Sequence, residues 1–175
     1  MKKILMIAAM IMLSVGAFAQ GRLSVGANAG MAFYGDDYNP FGIGAKLQYG
    51  AEAGLRSELA YNYWFSKEKA GIKAGVMDID VNLQYLIPVS DGLNVYPIVG
   101  TNLAITHGDG DSDTLFGFQG GFGIEYYLSN NVKVNLDAKY QYNKKSVDFN
   151  IDGFKFSQDL KFDGPVIQAG ISYVF

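Results

Sequence analysis

The sequence predicts an all-β protein: an eight-stranded antiparallel up-and-down transmembrane β-barrel, preceded by a cleaved signal peptide. Three observations predict it. Apolar and polar residues alternate with period two over about eight segments, the mark of strands with two unlike faces. The connections between them alternate between short and long. Every charged residue in those segments falls on the polar face, and the aromatic residues cluster near the segment ends.

Composition agrees. The chain has 175 residues, of which 49% are hydrophobic, 14% aromatic and only 18% charged, where soluble domains carry about a quarter. Cysteine is absent, which excludes disulfides, thiolate metal sites and a cysteine nucleophile. The formal net charge of −3 speaks against a nucleic-acid partner.

The first element is the leader. Lys2 and Lys3 precede an apolar run from Ile4 to Phe18 that ends in Ala17-Phe18-Ala19. This predicts a secretory signal peptide over 1–19 and a mature barrel domain over 20–175. The run is shorter than the ~20 residues a spanning helix needs. With Lys2 and Lys3 gone, the 14 basic residues become 12 against 17 acidic ones, a balance of −5.

The strands follow in order. In the first, Leu23, Val25, Ala27, Ala29, Met31 and Phe33 oppose Ser24, Gly26, Asn28, Gly30 and Ala32. In the second, Ile43, Ala45, Leu47 and Tyr49 oppose Gly44, Lys46 and Gln48. In the third, Leu55, Leu59, Tyr61, Tyr63 and Phe65 oppose Arg56, Glu58, Asn62 and Trp64. In the fourth, Met77, Ile79, Val81, Leu83 and Tyr85 oppose Asp78, Asp80, Asn82 and Gln84.

The fifth sets Leu93, Val95, Val99, Leu103 and Ile105 against Asn94, Tyr96, Gly100 and Asn102, with Pro97 inside it predicting a bulge. The sixth sets Phe118, Phe122, Ile124 and Tyr126 against Gln119, Gly121, Gly123 and Glu125. The seventh sets Val132, Val134, Leu136, Ala138, Tyr140 and Tyr142 against Lys133, Asn135, Asp137, Lys139 and Gln141. The last sets Ile167, Ala169, Ile171, Tyr173 and Phe175 against Gln168, Gly170 and Ser172.

Gly50 to Gly54, Pro88 to Gly92 and Ser129 to Asn131 are the short connections. Tyr34 to Pro40, Ser66 to Lys73, His107 to Leu115 and Lys144 to Pro165 are the long ones. Short turns at one rim and long loops at the other are the build of outer-membrane barrels. The last loop itself alternates about Asp152-Gly153, a hairpin signal that predicts a two-stranded flap above the membrane. Ten strands would result if that hairpin entered the bilayer.

A soluble sandwich also alternates, so the placement of charge decides. Lys46, Arg56, Glu58, Asp78, Asp80, Glu125, Lys133, Asp137 and Lys139 all share the parity of the polar face. A Lys or Arg facing mid-bilayer lipid costs about 2–4 kcal/mol, so lipid enforces this segregation. Tyrosines near segment ends suit the headgroup level. The nine charges then fill the lumen and are expected to pair across it as a plug. Inward glycines such as Gly44, Gly121 and Gly123 are expected to make room for the long bases.

These residues resemble a known family. The whole chain is similar to the small outer-membrane β-barrel proteins of the OmpA/OmpX type, often called outer membrane protein β-barrel domain or porin-family proteins. Ile167, Ala169, Ile171, Tyr173 and Phe175 resemble the C-terminal signal read by the barrel-assembly machinery. Gln20 after the Ala-x-Ala site resembles exported proteins of Bacteroidetes. The resemblance implies the cell outer membrane of a Gram-negative cell as location. It implies outer-membrane lipid and lipopolysaccharide as surroundings, and a monomer. With the chain ending at Phe175, peptidoglycan anchoring is not implied.

No catalytic, cofactor or metal site is expected. His107 is the only histidine, and a triad with Ser112 and Asp109 or Asp113 would lie in one loop without a rigid frame. Asp109, Asp111 and Asp113 have the opening spacing of a calcium loop, but Thr114 and Gly120 stand where that loop needs Gly and Glu. Gly117 to Gly123 lacks the Lys and the helix of a phosphate loop. Lys144, Lys145, Lys155 and Lys161 flank the longest loop and are candidates for lipopolysaccharide phosphates. The function expected is a non-enzymatic barrel that supports the membrane and presents loops. The alternatives are a narrow channel for small solutes and a secreted lipocalin-like binding barrel with its apolar face inside.

Overall fold

The computed structural model describes residues 21–34, 39–51, 53–65, 75–107, 112–151 and 154–175. Eight antiparallel strands form one closed barrel in chain order: β1 (Arg22–Ala32), β2 (Phe41–Gly50), β3 (Gly54–Phe65), β4 (Gly75–Ser90), β5 (Leu93–His107), β6 (Ser112–Ser129), β7 (Val132–Ile151) and β8 (Phe154–Val174). Each strand pairs with its sequence neighbours, and β8 returns to β1 through Ser24↔Val174 to Ala32↔Val166. Closure leaves no edge within the wall, the condition for a sheet in lipid.

The stagger can be read from the register. Starting at Arg22, successive partners are Gly50, Arg56, Gln84, Ile98, Gly121, Lys139 and Val166, which meets β1 again at Ala32. The wall is therefore sheared by ten residues, from 22 to 32. At about 3.3 Å per residue against eight spacings of about 4.8 Å, this tilts the strands by about 40°.

The faces divide as the alternation predicts, and inside out relative to a soluble protein. Among the described residues, 24 buried residues are polar or charged and 12 are apolar. Phe122 is 74% exposed and Val99 60%, while Asn62, Asp78 and Asp80 are fully buried. A lipocalin-like interior is excluded by this arrangement, because the apolar band faces outward. Aromatic rings ring that band at two levels. Phe41, Tyr63 and Phe65 pack together at the long-loop rim, with Phe116 against Phe118, and Tyr173 packs on Phe175 at the short-turn rim. These are the two interfacial girdles of a membrane barrel.

Two expectations need correction. Pro97 causes no bulge: it pairs with Phe122 in unbroken register, and the β4–β5 ladder skips Tyr85 and Leu86 on its other side. The missing N–H is absorbed there. The register shifts instead beside the tight turns, between Pro88 and Ser90 and between Tyr127 and Ser129. At the first of these turns Gly92 supplies a φ of 75°, a backbone conformation that favours glycine.

The second correction concerns strand length. His107 was expected in a loop, but β5 runs to it. The two-stranded flap expected within Lys144 to Pro165 is formed, and it is continuous with β7 and β8, which pair without interruption to Ile151↔Phe154. The flap is the upper part of the last hairpin. Ladder hydrogen bonds do not require lipid on one face, so pairing continues beyond the membrane. The signal peptide, Asp109, Asp111 and the Asp152-Gly153 turn lie outside the described residues, as do the side chains of His107, Ser112, Asp113, Lys144, Lys145, Lys155 and Lys161.

Candidate functional site

The lumen gathers the side chains with chemistry. Lys46, Arg56, Glu58, Asp78, Asp80, Glu125, Lys133, Asp137 and Lys139 are all buried inside the wall. They reach it because each occupies an inward position of its strand. The residues between and beside them are outward and apolar, except Ser57 between Arg56 and Glu58, which is polar and buried.

Nearest the short-turn rim, Glu125 Oε2 accepts from Arg56 Nη1 at 2.6 Å and from Lys133 Nζ at 3.1 Å. Asn94 Nδ2 donates to its other oxygen at 3.1 Å, and the Arg56 guanidinium lies 5.0 Å from the Tyr96 ring centroid. Above this, Lys46 Nζ lies 3.7 Å from Asp137 Oδ2 and donates to Asn135 Oδ1 at 2.6 Å. The Tyr96 hydroxyl donates to Asp137 Oδ1 at 2.5 Å. Glu58 accepts from three amides, Gln48 at 2.7 Å, Asn82 at 2.9 Å and Gln84 at 3.1 Å. Higher still, Lys139 Nζ donates to Asp80 Oδ2 at 2.7 Å, and Trp64 Nε1 donates to Asp78 Oδ2 at 2.7 Å.

Charges in such a space persist only when paired and hydrogen-bonded, and most of these are. The inward glycines serve more than the bases. Gly44 faces Asn62 and Asn28, and Gly123 faces the Tyr96 ring and Asp137, while Gly121 lies against Lys139. A Cβ added at Gly123 would come within 2.2 Å of the Tyr96 ring. Glycine there admits a ring, which neither composition nor spacing indicates.

At the long-loop end the lumen changes character. Ala32, Tyr34, Trp64, Val76, Ala104, Leu115 and Val166 form a buried apolar cluster above the charges. The Trp64 ring lies over Gly42, where a Cβ would sit 2.3 Å from Cε3, and the Tyr34 hydroxyl donates to Gln141 Oε1. A smaller cluster of Leu86, Tyr96 and Ile98 lies towards the other rim. The alternation reading set Trp64 inside but left out Val76, Leu86, Ile98, Leu115 and Val166. Their parity with Asp78, Gln84, Tyr96, Gln119 and Gln168 was the signal that could have found them.

Ile167, Ala169, Ile171, Tyr173 and Phe175 lie on the outward face of β8 and its end. No helix among the described residues is long and apolar enough to cross a membrane, which leaves the strands to do so. No group of three or more His, Cys, Asp and Glu side chains suited to a metal is found among the described residues.

Comparison with known proteins follows from this geometry. The profile of the family described as outer membrane protein beta-barrel domain matches residues 5–175. No curated protein sequence matches. Among solved structures, the fold is similar to Neisserial surface protein A, with a TM-score of 0.68 and 14% identity over 89% of this chain and 97% of that one. It is similar to OprG of Pseudomonas aeruginosa, with a TM-score of 0.66 and 15% identity over 90% and 96%. It is also similar to outer membrane protein W of E. coli, with a TM-score of 0.59 and 15% identity over 90% and 100%. At such identities the likeness is one of fold, and the family match, the girdled apolar exterior and the closed eight-strand wall together identify the chain as a member of the outer membrane protein β-barrel domain family, an integral β-barrel of the outer membrane.

Proposed function

We propose that the protein is a non-enzymatic, non-conducting barrel that supports the outer membrane and presents the loops of its long-loop rim at the cell surface. The observation that carries this reading is the filled lumen. Ion pairs cross it from Arg56 and Glu125 to Lys139 and Asp80, and the apolar cluster around Trp64 closes it above. An eight-stranded barrel has an interior just wide enough for side chains to fill. Ions would have to break buried pairs and pass an apolar constriction.

The setting follows from the same reading. The protein acts as a monomer, surrounded by outer-membrane lipid and lipopolysaccharide, with Lys144, Lys145, Lys155 and Lys161 as contacts for phosphate groups. The barrel-assembly machinery inserts it, guided by the alternating residues from Ile167 to Phe175. Changing the four lysines to Gln is expected to weaken lipopolysaccharide binding by the refolded protein; unchanged binding would remove that contact from the proposal.

The decisive test is conductance. Refolded protein in planar bilayers is expected to give no steady current. Large, steady channels would replace the scaffold by the narrow channel for small solutes.

A further inference from the structure

Five of the eight buried side-chain atoms without a hydrogen-bond partner among the described residues lie on four neighbouring residues. They are Asp78 Oδ1, Asp80 Oδ1, both amide atoms of Asn102, and Asn143 Oδ1. The register explains the gathering. Asp80, Asn102, Gly117 and Asn143 are successive partners across β4, β5, β6 and β7, with Asp78 one inward position higher on β4. Gly117 has no side chain to separate its neighbours. A Cβ added there would lie 1.5 Å from Asn143 Oδ1 and 2.5 Å from Asn102 Oδ1, so the two oxygens lie within 4.0 Å of each other.

Each carboxylate is half used. Asp80 Oδ2 accepts from Lys139 Nζ and from Asn62 Nδ2 at 3.1 Å, and Asp78 Oδ2 accepts from Trp64 Nε1. Their Oδ1 atoms, with the two amide oxygens, leave four hard acceptors inside a buried space. Asn102 and Asn143 are each only 1% exposed. Charge points the same way. Among the described residues the nine luminal groups comprise four bases and five acids. Lys139 bonds to Asp80 and also lies near Asp78, whose own bonded neighbours, the Trp64 indole and the Gln141 amide, are uncharged.

Four acceptors, two of them on neighbouring carboxylates that share the one ammonium of Lys139, select a positive, oxygen-seeking occupant. Water would bond to two of these oxygens without offsetting the charge. A divalent ion would overshoot it and ordinarily takes six or more oxygens. We propose that Asp78, Asp80, Asn102 and Asn143 hold a monovalent alkali cation in the lumen beneath the apolar cap. The ion fastens β4, β5 and β7 together across Gly117 and is a structural component rather than a permeating one.

Trp64 provides the readout, because it is the chain's only tryptophan and its indole bonds to Asp78. Full-length mature protein would be refolded in detergent with choline chloride, sodium chloride or potassium chloride at equal ionic strength and pH 8. Sodium or potassium is expected to change Trp64 emission saturably and to raise the urea midpoint relative to choline. In Asp78→Asn, which keeps the side chain's shape and removes its charge, the half-saturating concentration is expected to rise at least tenfold. The heat-modifiable band on gels checks that this variant folds, and Asn102→Ala gives a second variant with the same expectation. The parent alone already decides. Identical emission and midpoints in all three salts overturn the proposal, as does a response to calcium but not to alkali ions. A salt response that survives both folded variants within twofold overturns the site assignment.

Discussion

At the scale of the residue, burial gives single luminal groups a large influence. Glu125 answers two cations at once, so Glu125→Gln leaves Arg56 and Lys133 sharing no charge partner there. Breaking a buried pair in this way costs about 3–5 kcal/mol, which should appear as a lower urea midpoint of the refolded barrel. Replacing Arg56, Glu125 and Lys133 together by apolar residues of similar volume is expected to cost much less, because no charge is then stranded. A similar argument from space applies to Gly42. Gly42→Ala places a methyl group 2.3 Å from the rigid Trp64 ring, so the ring must move. A loss of about 1–3 kcal/mol is expected, with a shift in Trp64 emission reporting the displaced cap.

At the scale of the element, each strand is read by two solvents. Leu136 and Phe122 face outward near the middle of the wall, where Leu136→Arg or Phe122→Arg is expected to cost about 2–4 kcal/mol. A measurement of unfolding in lipid vesicles checks it; losses below ~1 kcal/mol would place these positions at an interface instead. The upper part of β7 and β8 carries no such burden. Removing the residues between Ser146 and Asp159 and joining them by a two-residue turn should leave the heat-modifiable band intact, because among the described residues that hairpin pairs only with itself above Asn143 and Gly164.

The same contrast explains what the sequence made legible. Lipid imposes alternation, and alternation fixed eight strands, their faces and all nine luminal charges without reference to coordinates. It marked the flap about Asp152-Gly153 but not its continuity with the barrel, so β7 and β8 were expected to break between Tyr142 and Ile167. Nor could it mark the inner cap, because Val76, Leu115 and Val166 carry no polar group to set their face apart. Trp64 over Gly42 depends on two strands in a given register, which only three-dimensional pairing supplies.

At the scale of the whole molecule, the shear of ten and the eight-strand count together set the bore, and the bore sets the choice between plug and pore. The conductance experiment belongs here, since loss of one pair is not expected to open a path past the cap. The seam between β1 and β8 has a consequence of a different kind. Its contacts join positions as far apart in sequence as Ser24 and Val174, and the amide of Phe175 bonds to the Leu23 carbonyl at 2.8 Å. Partial sheets would expose raw backbone to hydrocarbon, so insertion and ring closure have to proceed together. Assembly of this protein is therefore a slow, all-or-nothing event governed by the most distant pair in the chain, and a catalyst that shelters the two unzipped margins would accelerate it more than one that promotes any individual hairpin.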